Sequence, residues 1–149
     1  MISVLIATKN RPRQLTHCLR SLQKCVHNNF EIILSDQGDI NITKNILRKF
    51  PFLTVTHFKA PKGGKGIALN AGLKLVRGSI IAFTDDDCIV DRYWLSQIEQ
   101  YLQIHSMVAG LFGKTLPYKP LLHKGLICGT IFNKEAPFIT RNPYIIHYK

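Results

Sequence analysis

Short runs of consecutive apolar residues alternate along this chain with longer stretches in which apolar residues recur at every third or fourth position. The first pattern suits strands covered on both faces and the second suits amphipathic helices. Residues 2–7 form a near-continuous apolar run and read as the first strand. Pro12 fits the first turn of a helix, where its missing N–H costs nothing. Leu15, Cys18, Leu19, Leu22, Cys25 and Val26 follow at helical spacing, up to Asn28-Asn29. Residues 31–35 read as a second strand, ending in the turn Asp36-Gln37-Gly38-Asp39. Asn41 is placed to cap a second helix carrying Ile42, Ile46, Leu47 and Phe50 and stopped at Pro51. Residues 54–58 are a short β-rich run. Lys62-Gly63-Gly64-Lys65-Gly66 opens a third helix through Ile67, Ala68, Ala71, Leu75 and Val76, with Gly78 as its stop. Residues 79–84 form a fourth strand that runs into Asp85-Asp86-Asp87. A helix over residues 91–105 presents Trp94, Leu95, Ile98 and Leu102, and residues 107–112 suit a further strand. Strands alternating with helices predict an α/β domain.

The pattern changes after residue 112. Residues 113–149 contain Pro117, Pro120, Pro137 and Pro143, six Lys or Arg and a single acid, Glu135, and only residues 126–132 read as a strand. Such a stretch would make a poor domain alone, and the ending Ile145-Ile146-His147-Tyr148-Lys149 has no polar tail or helix cap. The expected organisation is an α/β part over residues 1–112 and the start of a second portion over residues 113–149, truncated at its C-terminal end.

The length of 149 residues suits one domain, and 46% hydrophobic with 19% charged residues argues against disorder. No apolar stretch approaches the roughly 20 residues needed to span a bilayer. Met1 leads into apolar sequence without a basic n-region, so the expected location is cytoplasmic. Cys18, Cys25, Cys88 and Cys128 show neither C-x-x-C pairing nor zinc-site spacing. The balance of 20 Lys+Arg against 9 Asp+Glu, a formal charge of +11, fits solvated faces or attraction to phosphates, nucleic acid or an anionic membrane. The basic residues are spread along the chain with no nucleic-acid motif, so no specific nucleic-acid partner is expected. Lys114, Lys119, Lys124, Lys134 and Arg141 suggest peripheral contact with the inner face of a membrane.

The strongest local chemical signal is Asp85-Asp86-Asp87, directly after an apolar strand. Adjacent carboxylates repel unless a cation or strong donors neutralise them. Hard oxygen ligands there suit Mg²⁺ or Mn²⁺, whereas a solvated acidic turn needs no metal. Gly63, Gly64 and Gly66, with Lys62 and Lys65, could bring backbone N–H groups and charge to an anion, or form a plain turn. Thr8-Lys9-Asn10-Arg11-Pro12 closes the first strand, as a helix cap or as ligand contacts. Thr8, Asp36 and Asp85 each fall at the carboxyl end of a strand, where open α/β sheets bind ligands. His17, His27 and His105 on helices and His57 in a strand suit surface or core roles better than ligation.

Four blocks, in this order, resemble the family 2 glycosyltransferases of the GT-A fold. Residues 3–12 are similar to that family's opening strand and T-x-N-R-P turn, and residues 31–39 to a strand ending in Asp-x-Gly. Residues 63–72 resemble its glycine turn and A-x-N-x-G helix, and Phe83-Thr84-Asp85-Asp86-Asp87 its D-x-D metal motif. The resemblance implies a Rossmann-like, mostly parallel sheet flanked by helices. It also implies a UDP-, dTDP- or GDP-linked sugar bound across the strand ends. Thr8 and Asp36 would contact the base and ribose side, with Gln37 able to bond a base. Asn10 and Arg11 would line the same rim, and Lys65 and Asn70 would lie near the ribose or diphosphate. Asp85 and Asp86 would face the ribose and metal. Asp85 and Asp87 would ligate Mg²⁺ or Mn²⁺, Asp87 as the main ligand. The implied reaction is an inverting transfer to a glycan or lipid-linked acceptor, as in cell wall or polysaccharide biosynthesis, with a carboxylate base deprotonating the acceptor hydroxyl.

The chain departs from the family at Gln37, where many members carry a second acid, and at Leu69, where many carry Arg. The only acid after Glu99 is Glu135, in the unsuitable context Lys134-Glu135-Ala136-Pro137. The catalytic base is therefore expected beyond residue 149, making this chain mainly the donor- and metal-binding half and inactive alone. Two other classes fit parts of the pattern. A metal-dependent phosphohydrolase could use Asp85-x-Asp87, although that motif usually follows the first strand rather than the fourth. A non-catalytic basic module would need its Lys and Arg clustered on one face.

Overall fold

The computed structural model describes residues 1–113 and 115. Strands and helices alternate as β1 (Ile2–Thr8), α1 (Pro12–Leu22), β2 (Phe30–Asp36), α2 (Ile40–Leu47), β3 (Val55–Lys59), α3 (Lys65–Leu73), β4 (Ile80–Phe83) and α4 (Trp94–Ile104). The four strands form one sheet in the order β3-β2-β1-β4. Every pairing is parallel, with Thr8 level with Asp36 and Leu5 level with Phe83.

Ile2, Val4, Leu5 and Ile6 are all fully buried, because β1 has strands on both edges and helices over both faces. Side chains alternate across a strand, and the two sets meet different layers. Ile2, Val4, Ile6, Ile32 and Leu34 join the core built with Leu15, Cys18, Leu19 and Leu22 of α1, Ile46 of α2 and Leu95 of α4. The opposite face packs against α3. Gly72 makes that approach possible, since a Cβ there would lie 2.7 Å from Ser35 Oγ and 3.4 Å from Ile33 Cγ2. The family-like glycine of this helix is thus a packing requirement.

The polar members of the buried strands form a latch at the amino ends of β1 and β2. Glu31, 1% exposed, accepts from Ser3 Oγ at 2.7 Å, from Arg77 N at 2.9 Å and from Arg77 Nη2 at 2.6 Å. Ser3 Oγ also accepts from Gly78 N at 2.8 Å. Burial pushes the Glu31 pKa up, but the bonds from Arg77 and Ser3 outweigh it and hold the carboxyl below its ordinary range. The latch fixes where the chain leaving α3 enters β4.

Several local expectations differ from the structure. Asp39, not Asn41, caps α2, its Oδ1 accepting from Asn41 N at 2.9 Å. The first helix ends at Leu22, with Cys25 buried beyond it, and His27 lies in the following loop. His105 lies just past α4. Residues 107–112 form no strand: no described strand pairs with them, Gly110 interrupts the run, and Met107 and Phe112 are exposed. The expected strand at residues 126–132 lies outside the described residues. Two compact units divide the chain, Met1–Gln100 and Tyr101–Lys149. In the second, Tyr101 and His105 stack with centroids 4.1 Å apart. No helix among the described residues is long and apolar enough to cross a membrane.

Candidate functional site

From β1 the chain moves through β2 to β3 in one direction, then returns through α3 to the other side of β1, where β4 lies. The order reverses at β1, and a crevice opens beyond the carboxyl ends of strands at such a switch point. Here the crevice is a cleft of about 400 Å³ lined by Thr8, Lys9, Arg11, Gln37, Lys65 and Asp85-Asp86-Asp87. Binding sites for small organic ligands commonly begin at about 300 Å³.

The acidic triplet is built into this cleft by three different side-chain partnerships. Thr8 Oγ1 donates to Asp86 Oδ2 at 2.8 Å. Arg11 Nη1 lies 3.3 Å from Asp86 Oδ1 and 3.0 Å from Asp87 Oδ2. Lys65, at the first position of α3, forms an ion pair with Asp85. Asp86 is buried, whereas the side chains of Asp85 and Asp87 are about half exposed. From below, Cys18 Sγ of α1 donates to Asp85 O at 3.5 Å. Burial, then the nearby Cys88 and the three carboxylates, push the Cys18 thiol up to about 12.

Asp36 sits under the rim rather than on it. It is fully buried, with Oδ1 accepting from Gly38 N at 2.7 Å and Oδ2 lying 3.1 Å from His57 Nε2. Those contacts fix the turn that presents Gln37, whose Nε2 donates to Pro61 O at 2.6 Å. Lys59 donates to Gly38 O in the same turn. Asn10 has φ 54°, a left-handed conformation that Asn tolerates, and its Oδ1 accepts from Asp39 N at 2.9 Å. Gly38 is required beside it, since a Cβ there would lie 2.3 Å from Asn10 Oδ1. Asn10 therefore ties the β1 turn to the β2 turn.

Of the residues singled out in the sequence, Thr8, Arg11, Gln37, Lys65, Asp85, Asp86 and Asp87 line one cleft. Asn10 and Asp36 support it, and Asn70 is exposed on α3 outside its lining. Gly63, Gly64 and Gly66 also lie outside the lining. Lys9, from the polar run that closes β1, also lines the cleft, whereas the supporting His57 carried no distinguishing sequence signal. Parallel register places His57 level with Leu34, one strand over and near Asp36.

Among the described residues, no three His, Cys, Asp or Glu side chains converge as a metal-holding group. The donor chemistry nevertheless fits a hard divalent cation: Asp85 and Asp87 offer solvent-accessible carboxylate oxygens on the cleft. Both are neutralised here by Lys65 and Arg11.

The model of glycosyl transferase family 2 matches residues 3–121. An uncharacterized glycosyltransferase of Rickettsia conorii is 30% identical over 142 residues, covering 88% of this chain and 23% of that protein. Glycosyltransferase GlyG of Streptococcus pneumoniae is 30% identical over 107 residues, covering 69% of this chain and 35% of the relative. The chain thus spans between 23% and 35% of the length of these two relatives. Residues 1–349 of S. aureus TarS, solved in complex with UDP, superpose with a TM-score of 0.63 at 25% identity, over 78% of this chain and 38% of that one. A mannosyltransferase from Pyrobaculum calidifontis, solved with GDP-Man and Mn²⁺, shares the fold at a TM-score of 0.62 and 21% identity, over 68% of this chain and 32% of that one. The parallel sheet with helices on both faces is of the GT-A type, and the chain belongs to glycosyl transferase family 2.

Proposed function

We propose that the cleft binds a nucleotide-diphosphate sugar with Mg²⁺ or Mn²⁺, as the donor-binding part of an inverting transferase acting on a glycan or lipid-linked acceptor. The observation that carries this is the gathering of Thr8, Arg11, Lys65 and the acidic triplet in one cleft at the switch point of the sheet. The complex of S. aureus TarS with UDP supports a uridine nucleotide as the first candidate.

Each side chain has a task in this reading. Thr8 and Gln37 hold the base and ribose side, with Gln37 oriented by the turn that Asp36 and Asn10 fix. Lys65 meets the diphosphate at the start of α3, where the helix end also favours an anion. Arg11 supplies a second cation on the same rim. Asp85 and Asp87 would hold the divalent ion, whose charge would stabilise the departing nucleotide diphosphate. Asp86, buried and bonded to Thr8, holds the triplet in place. No described residue is assigned as the base. Residues 1–112 form the donor part and residues 113–149 begin the acceptor-side portion, with the protein working in the cytoplasm against the inner membrane face.

Calorimetric titration with UDP and dTDP, each with and without Mn²⁺, tests the assignment. The expected result is nucleotide binding that requires Mn²⁺ and is lost in Asp87→Ala. A folded chain that binds neither nucleotide overturns it.

A further inference from the structure

A second cavity, of about 220 Å³, lies between α1 and the segment that follows the acidic triplet. His17 and Arg20 line it from α1, three residues apart and so on one face of that helix, and Lys24 lines it from the turn just past the helix end. Arg92 adds a fourth basic side chain, and Ile89 and Val90 supply apolar lining. It shares no lining residue with the nucleotide cleft.

Three hydrogen bonds hold the walls together. Val90 N donates to Ser21 Oγ at 3.1 Å, Val26 N to Arg92 O at 2.9 Å, and Cys25 Sγ to Asp91 O at 3.9 Å. Ser21 is itself buried and donates to Cys18 O at 2.7 Å. The cavity is therefore a built feature, not a crevice between loose side chains.

Its electrostatics are one-sided. Among the described residues, none of His17, Arg20, Lys24 and Arg92 forms an ion pair with a carboxylate. The neighbouring Asp91 is outside the lining, and its Oδ1 accepts from Tyr93 N at 2.8 Å. Like charges gathered around one cavity repel unless an anion enters. Two guanidinium forks with an ammonium group match the oxygens of a phosphate better than those of a single carboxylate. The volume is about half that of the nucleotide cleft, which suits a phosphate or diphosphate group without a nucleoside.

We propose that this pocket is a separate binding site for a phosphate or diphosphate group, carried either by a soluble compound or by a lipid headgroup. The site stands independently of the donor assignment.

Residue-resolved NMR of the whole chain, titrated with inorganic pyrophosphate, tests it. The expected result is saturable shifts at His17, Arg20, Ser21 and Val90. Arg20→Gln/Lys24→Gln should weaken that binding by about tenfold or more, as expected for loss of two charge-assisted bonds. Arg20 and Lys24 are exposed, and the same spectra report that the variant is folded. Co-sedimentation with phosphatidylglycerol-containing against pure phosphatidylcholine vesicles separates the sources. Vesicle binding that the double variant loses, without pyrophosphate shifts, assigns a lipid headgroup; pyrophosphate binding that the variant loses assigns a soluble phosphate. The proposal is overturned if neither probe binds, or if the double variant binds both as the unmodified chain does.

Discussion

Thr8 and Asp86 stand 78 positions apart in the chain and are joined by a 2.8 Å hydrogen bond between buried side chains. The bond closes the gap between the end of β1 and the turn after β4, the two elements that flank the reversal in strand order. Arg11, three residues past Thr8, reaches Asp86 and Asp87 from the same turn. One end of β1 therefore organises most of the acidic triplet.

Thr8→Val keeps the shape of the side chain and removes its donor. Asp86 is then a buried carboxylate with Arg11 as its remaining side-chain partner, and the folded state should lose about 1–3 kcal/mol. Urea denaturation measures the loss, and Thr8→Ser should recover most of it.

The three aspartates should separate by experiment. Asp86→Ala removes a buried, doubly bonded carboxylate and leaves Thr8 unpaired, costing about 1–3 kcal/mol. Asp87→Ala removes an exposed partner of Arg11 and relieves repulsion within the triplet, so stability should stay within about 0.5 kcal/mol of the original or rise. Metal-dependent nucleotide binding should disappear with Asp87→Ala although the melting temperature does not fall.

Which of the three aspartates is buried was illegible in the sequence, where three identical residues stand in a row. What could be read was position: apolar runs ending at Thr8, near Asp36 and before Asp85 predicted parallel strands whose carboxyl ends meet, and they do. Long-range register was not readable. His57 is β-rich context in one dimension, yet pairing with β2 sets it against Asp36. The cap of α2 went to Asp39 rather than Asn41, two residues with similar capping strength. Asn10, distant in sequence, binds the Asp39 N–H and fixes that turn. Residues 107–112 are apolar enough for a strand, but a strand also needs an edge to pair with.

Arg77→Ala should make the protein less stable and change its response to acid. Glu31 is held below its ordinary pKa of 4.5, so its contribution to stability is present above that pH. It is lost as the pH falls through the lowered native value. Arg77 is largely exposed and Ser3 still donates after its removal, so the cost at pH 7 should be about 1–2 kcal/mol. Melting temperatures from pH 7 down to pH 3 should fall less steeply in Glu31→Gln than in the unmodified chain.

Native-state alkylation should sort the described cysteines. Burial and then nearby negative groups raise Cys18 to about 12, and burial followed by Asp91 raises Cys25 to about 11. Both thiols are buried, whereas Cys88 is half-buried. Iodoacetamide at pH 8 should label Cys88 first and the other two at least about a hundredfold more slowly. Peptide mass mapping reads the order, and urea should abolish the difference.

Lys65 has one role in the structure and another in the proposed donor complex, and because the two pull in opposite directions its removal is informative. In the structure it neutralises Asp85, so Lys65→Ala exposes a carboxylate and should leave binding of Mn²⁺ alone unchanged or tighter. In the proposed donor complex the same ammonium meets the diphosphate. Its loss should then weaken UDP binding in the presence of saturating Mn²⁺ by about tenfold, as for one charge-assisted hydrogen bond. The two titrations must therefore move apart. If Lys65→Ala tightens both, the lysine is only a counter-charge that a metal displaces, and the diphosphate is held from Arg11 and the start of α3 without it.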